Sequence, residues 1–124
     1  MIKNAKEIIR HTMPTSEDNY VRIGIGNRGT ISFSVGCVQR YLLGVNYVRI
    51  FVDKENRLIY FVPTDDNKRG YKLFKTNTSS YSNSRGCSGS AVIKEVSNIK
   101  RWAYEAILYV DEDTKGFVIK YEVD

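Results

Sequence analysis

From Tyr20 onward the apolar residues of this chain recur at every second position. Val21, Ile23 and Ile25 alternate with Tyr20, Arg22 and Gly24, a spacing that gives an extended strand one apolar and one polar face. Gly26-Asn27-Arg28-Gly29 is turn chemistry, and Thr30-Ile31-Ser32-Phe33 resumes the alternation, so a hairpin is expected here. Strands are further expected at Tyr47–Val52, Arg57–Val62 and Tyr71–Lys75, over 101–110 and over 117–123. In 101–110, Ala and Glu also permit a helix. Pro63 is expected to close the strand before it, because proline cannot donate to a ladder.

Helical signals are short and lie between the strands. Residues 4–12 suit a helix, with Asn4 and Glu7 in capping-box spacing and Met13-Pro14 as its stop. Ser34 reads as an N-cap, Val35, Val38, Tyr41 and Leu42 share a helical face, and Gly44 ends that helix. Ser90 is expected to cap a helix over 91–96. Residues 76–90 hold eight Ser or Thr and read as one long loop.

Written as elements, 30–62 and 71–123 both run β-α-β-β. The 124 residues suit a single domain with one core. The expected fold is α+β, mostly β: a small barrel-like antiparallel sheet of two β-α-β-β units with a short N-terminal helix. Residues 1–19 form the helix and linker, 20–63 the first half, and 64–124 the second half with loop 76–90. No apolar run approaches the roughly 18 residues of a membrane-spanning helix, and the first residues lack a signal peptide's apolar stretch. The expectation is a cytoplasmic protein without membrane attachment.

Charge is concentrated. Residues 68–101 carry eight basic side chains (Lys68, Arg69, Lys72, Lys75, Arg85, Lys94, Lys100 and Arg101) against the single acid Glu95. The other 90 residues carry 11 basic and 13 acidic side chains, so this run alone supplies the net charge of +5. A localised excess of this kind suits a polyanion-binding face; a merely solvated basic surface is the plainer alternative. Tyr71, Phe74, Tyr81 and Trp102 interleave with the cations, as base stacking would need, and Tyr81 in its polar loop is the best contact candidate. The nine tyrosines also suit a protein-binding surface.

Other motifs give way to simpler readings. Gly24-Ile25-Gly26-Asn27-Arg28-Gly29 matches a dinucleotide fingerprint in letters, but a strand pattern follows it where a helix is required. Asp111 to Glu122 approaches a calcium loop, yet Lys115 occupies a ligand position. His11 is the only histidine, and Cys37 and Cys87 form no metal-binding spacing, so neither metal nor cofactor is expected. Free thiols are expected at both cysteines. Cys87, beside Arg85, reads as the more exposed one and the sole candidate nucleophile. Asp65-Asp66 and Asp111/Asp113 sit in turns, where Asp is favoured for backbone reasons. No catalytic constellation emerges.

The stretch Gly29–Phe33, Val38–Leu42 and Tyr47–Phe61 resembles the AbrB-like, swapped-hairpin DNA-binding unit over about a quarter of the chain. Ser34 stands where that family has proline, and Asn46-Tyr47 where it has Gly-Asp. The resemblance implies DNA contact, carried over here to Arg28 and Arg40. The chain is also similar in style to small proteins of phages and mobile elements, which include inhibitors of host defence such as anti-CRISPR proteins. A bacterial host cytoplasm follows from that likeness. The expected function is non-catalytic binding of nucleic acid through Lys68, Arg69, Lys72, Lys75, Tyr81, Arg85, Lys100 and Arg101. The alternative is an inhibitor or competitor acting on a host nucleoprotein complex; a Cys87-dependent enzyme comes third. Edge strands permit a homodimer.

Overall fold

The computed structural model describes residues 21–26, 29–75, 84–107 and 116–124. The expected N-terminal helix therefore lies outside the described residues. The chain is α+β and mostly β, built from two antiparallel sheets around one core.

Strands β1 (Arg22–Ile25) and β2 (Thr30–Phe33) form the expected hairpin, with Ile23 opposite Phe33 and Ile25 opposite Ile31. Ser34 caps the next helix, its hydroxyl accepting from the Cys37 amide at 3.2 Å. That helix, α1 (Val35–Cys37), loosens at once into a π-helical segment over Val38–Leu42. Gly44 follows at φ +72°, a conformation open to glycine at little cost. Strands β3 (Tyr47–Asp53) and β4 (Leu58–Thr64) pair along their whole length around a tight turn. In that turn the Asp53 carboxylate accepts from the amide and side-chain nitrogens of Asn56, which holds its carboxyl below the ordinary value.

Pro63 does not end β4. It stands opposite Val48 inside the ladder, whereas the strand on the other side of β4 pairs only with Leu58–Phe61. Beyond Phe61 that edge of β4 is open, and a proline is tolerated there.

Strands β5 (Tyr71–Lys72) and β6 (Phe74–Lys75) belong to different sheets. Between them Leu73 turns inward, and its N–H donates to the Asn46 carbonyl at 2.8 Å. The expected loop 76–90 is a strand over part of its length. β7 (Arg85–Ser88) pairs with β2 on one side and β6 on the other, while 76–83 lie outside the described residues. Helix α2 (Ser90–Glu95) starts one residue earlier than expected, with Gly89 at the cap position in place of Ser90.

The second half departs from β-α-β-β at its end. Strands β8 (Ala103–Glu105) and β9 (Phe117–Lys120) do not make a hairpin ladder. β8 pairs with β1 and β9 with β4, and one isolated bridge, Ile107 to Val118, links the two sheets at this corner. The strand orders are thus β6-β7-β2-β1-β8 and β5-β3-β4-β9. Among the described residues they do not close into a barrel: the ladders stop at the corners, and the sheets face each other across side chains.

An aromatic cluster joins them. The ring of Phe33, from the five-stranded sheet, meets Phe61 edge-on at 5.4 Å and Phe117 at 5.9 Å, both from the four-stranded sheet. Phe61 and Phe117 stack at 5.2 Å, and Tyr41 from the π-helical segment stacks on Phe117 at 4.8 Å. Phe33, Phe61 and Phe117 are completely buried.

Candidate nucleic-acid interface

The basic run of 68–101 winds through both sheets and reaches the surface in three groups. Lys68 and Arg69 sit in the turn after β4, where their amides donate to the Asp66 carboxylate at 2.9 and 3.2 Å. Those bonds, with Arg69 and Arg49 nearby, hold the Asp66 carboxyl below its ordinary value. Lys72 is close by, opposite Tyr47.

The second group is a cross-strand pair. Lys75 on β6 stands directly opposite Arg85 on β7, so both side chains share a face. Arg85 is half-buried and donates to the Ser84 carbonyl at 3.0 Å. The third group lies at the opposite edge of the five-stranded sheet, about 19 Å away for five strands at ordinary spacing. There Lys94 and Arg101 line a recess of about 530 Å³ together with Gly29, Ser90, Ala91 and Ile93. The ammonium of Lys100 lies 3.8 Å from the centroid of the half-exposed Trp102 ring.

The recess follows from a backbone contact. The Gly89 N–H donates to the Gly29 carbonyl at 2.6 Å, so the β1–β2 turn rests on the start of α2. Any side chain at Gly89 would bring its Cβ within 2.6 Å of Ile31 Cγ1. Arg101 reaches across to the Gly26 carbonyl at 3.5 Å. Two cations and the Ser90 hydroxyl thus surround a floor of Ala91 and Ile93. That combination can hold a phosphate while a sugar or base rests on the apolar floor, in a volume ordinary for ligand sites.

Among the described residues there is one ion pair, Lys54 to Glu95 at 3.1 Å. It turns the only acid of the basic run towards the β3–β4 turn. Both side chains are more than half exposed, so the pair adds little stability.

Arg40 is exposed on the π-helical segment. Arg28 and Tyr81 lie outside the described residues, as do His11 and the Asp111/Asp113 pair. Cys87 is corrected: it is completely buried on the core face of β7, opposite Ile31, and burial pushes its thiol up to about 12. It therefore holds almost no thiolate at neutral pH and is unsuited as a nucleophile. The sequence pattern did not disclose this because a Ser- and Gly-rich neighbourhood imitates a loop. Cys37 is likewise buried, with its thiol pushed up by the same cause. Among the described residues no group of three His, Cys, Asp or Glu could hold a metal ion.

Sequence reasoning missed one set of residues. On β3, Val48 faces the core, so Tyr47, Arg49 and Phe51 face away from it, joined by Tyr60 of β4. The signal was present in the period-two alternation of Tyr47–Val52, but these residues precede the basic run. Comparison with protein-family models, with curated proteins and with solved structures returns no match.

Proposed function

We propose that this chain is a non-catalytic nucleic-acid-binding protein, with the basic side chains of 68–101 as its phosphate contacts. The observation that carries the reading is the surplus of eight cations over one acid in that run, with the acid itself turned aside to Lys54. A protein surface with no polyanionic partner gains nothing from leaving so many like charges in one run, because they repel one another. The recess between Lys94 and Arg101 adds a concave place for a phosphate. The cation-covered Trp102 adds an exposed ring beside it. No helix among the described residues is long and apolar enough to cross a membrane.

The test is affinity for labelled DNA and RNA across a salt series. Each neutralised phosphate contributes about −0.9 to the slope of log K against log salt on duplex, and about −0.7 on single strands. The expected result is a steep slope that Lys94→Glu and Lys72→Glu each make shallower by about one. Absent binding, or binding indifferent to salt, overturns the reading.

A further inference from the structure

The four-stranded sheet turns Val48, Ile59, Phe61, Phe117 and Ile119 into the core, each completely buried. The alternate positions form its other face. There Phe51 stands directly opposite Tyr60, and Tyr47 opposite Lys72. Phe51 keeps 43% of its surface exposed. The guanidinium carbon of Arg49 lies 4.9 Å from the Phe51 ring centroid, so cation and ring form one unit on that face. Lys120, opposite Leu58, adds a cation on the far strand. Among the strand residues of this face the one acid is Asp53, and its carboxylate is engaged by Asn56.

Three cations, one occupied acid and adjacent rings are the chemistry of a polyanion that carries flat apolar groups. Rings on an open sheet meet bases only where the bases are unstacked, which a duplex does not offer. We infer that this face is a platform for single-stranded nucleic acid. Bases stack on Phe51 and Tyr60, and the backbone follows Arg49, Lys72 and Lys120. The inference rests on the nucleic-acid reading above and sharpens it to a strand type and a face. Lys72 belongs to both, so the basic run borders the platform.

The experiment measures fluorescence anisotropy of a short labelled oligothymidine and of a labelled duplex, with wild type, Phe51→Ala, Phe51→Tyr and Tyr60→Ala. Single-strand affinity should fall about tenfold in each alanine variant and return in Phe51→Tyr, while duplex affinity stays unchanged. Wild-type single-strand affinity in both alanine variants overturns the platform and leaves the nucleic-acid reading standing. Wild-type binding of duplex alone does the same, and binding of neither probe ends both. Loss of a dimer in Phe51→Ala, with strand affinity unchanged, gives the face to a second copy and overturns the platform. Where an alanine variant fails to fold, photocrosslinking of wild type to bromodeoxyuridine strands reads the same contact. Crosslinks within 47–60 support the platform, and crosslinks confined elsewhere refute it.

Discussion

The two sheets share a core and differ on their outer faces. On the five-stranded sheet one cross-strand row runs Phe74, Gly86, Ser32, Gly24, Ala103, small residues in all but the edge position. The neighbouring Arg22 and Glu105 stand opposite each other, so their charges offset. On the four-stranded sheet the corresponding rows carry Phe51 against Tyr60 and Tyr47 against Lys72, with Arg49 between. Packing constrains only the inward positions of a strand, so the outward ones are free to carry chemistry. Here one face carries rings and cations and the other carries little for a ligand to hold.

The comparison presumes one cooperative core beneath both faces. Phe33→Ala removes the ring that links the sheets and should cost about 3–5 kcal/mol in urea unfolding, with a single transition. Two separate transitions would break the comparison, since each sheet would then have its own stability. Cys87→Ser, on the inward side of the five-stranded sheet, places a hydroxyl where the thiol had no access to solvent. It should cost about 1–3 kcal/mol. In the native protein, Cys37 and Cys87 should resist a maleimide and label only in denaturant; fast native labelling of Cys87 would contradict its burial.

Binding separates the outer faces directly. Lys72→Glu should weaken single-strand affinity several-fold at low salt, whereas Glu105→Gln should leave it nearly unchanged. Equal effects from both changes would mean that net charge alone governs binding, and the distinction between faces would disappear. The smallest expected effect is acid sensitivity of the turns that flank the four-stranded sheet. The carboxyls of Asp53 and Asp66 are both held below 3.8 in the folded chain. A lowered folded value contributes stability that is present above the unfolded value and lost as pH falls through the folded one. Thermal melts should therefore lose stability below about pH 4, and Asp53→Asn with Asp66→Asn should flatten that limb.

Much of this was legible from residue order. Alternation identified β1, β2, β3 and β4 and their inward residues, because burying one face of a strand demands period two. Ser34 and Gly44 bounded the first helix through local backbone chemistry. Alternation does not say which strand is the neighbour, however. β8 and β9 are close in sequence and each has an inward face, yet one completes the five-stranded sheet and the other the four-stranded sheet. Either pairing would satisfy their backbone groups, and the choice falls to the shared core between the sheets. The same limit applies to the basic run. Its excess charge is a property of sequence, and it divided the chain at residue 68. Only the fold separated Lys75 and Arg85 from Lys94 and Arg101, and only the fold set Lys72 beside the rings of an earlier hairpin. Composition counts charges along the chain, whereas a ligand meets them across strands.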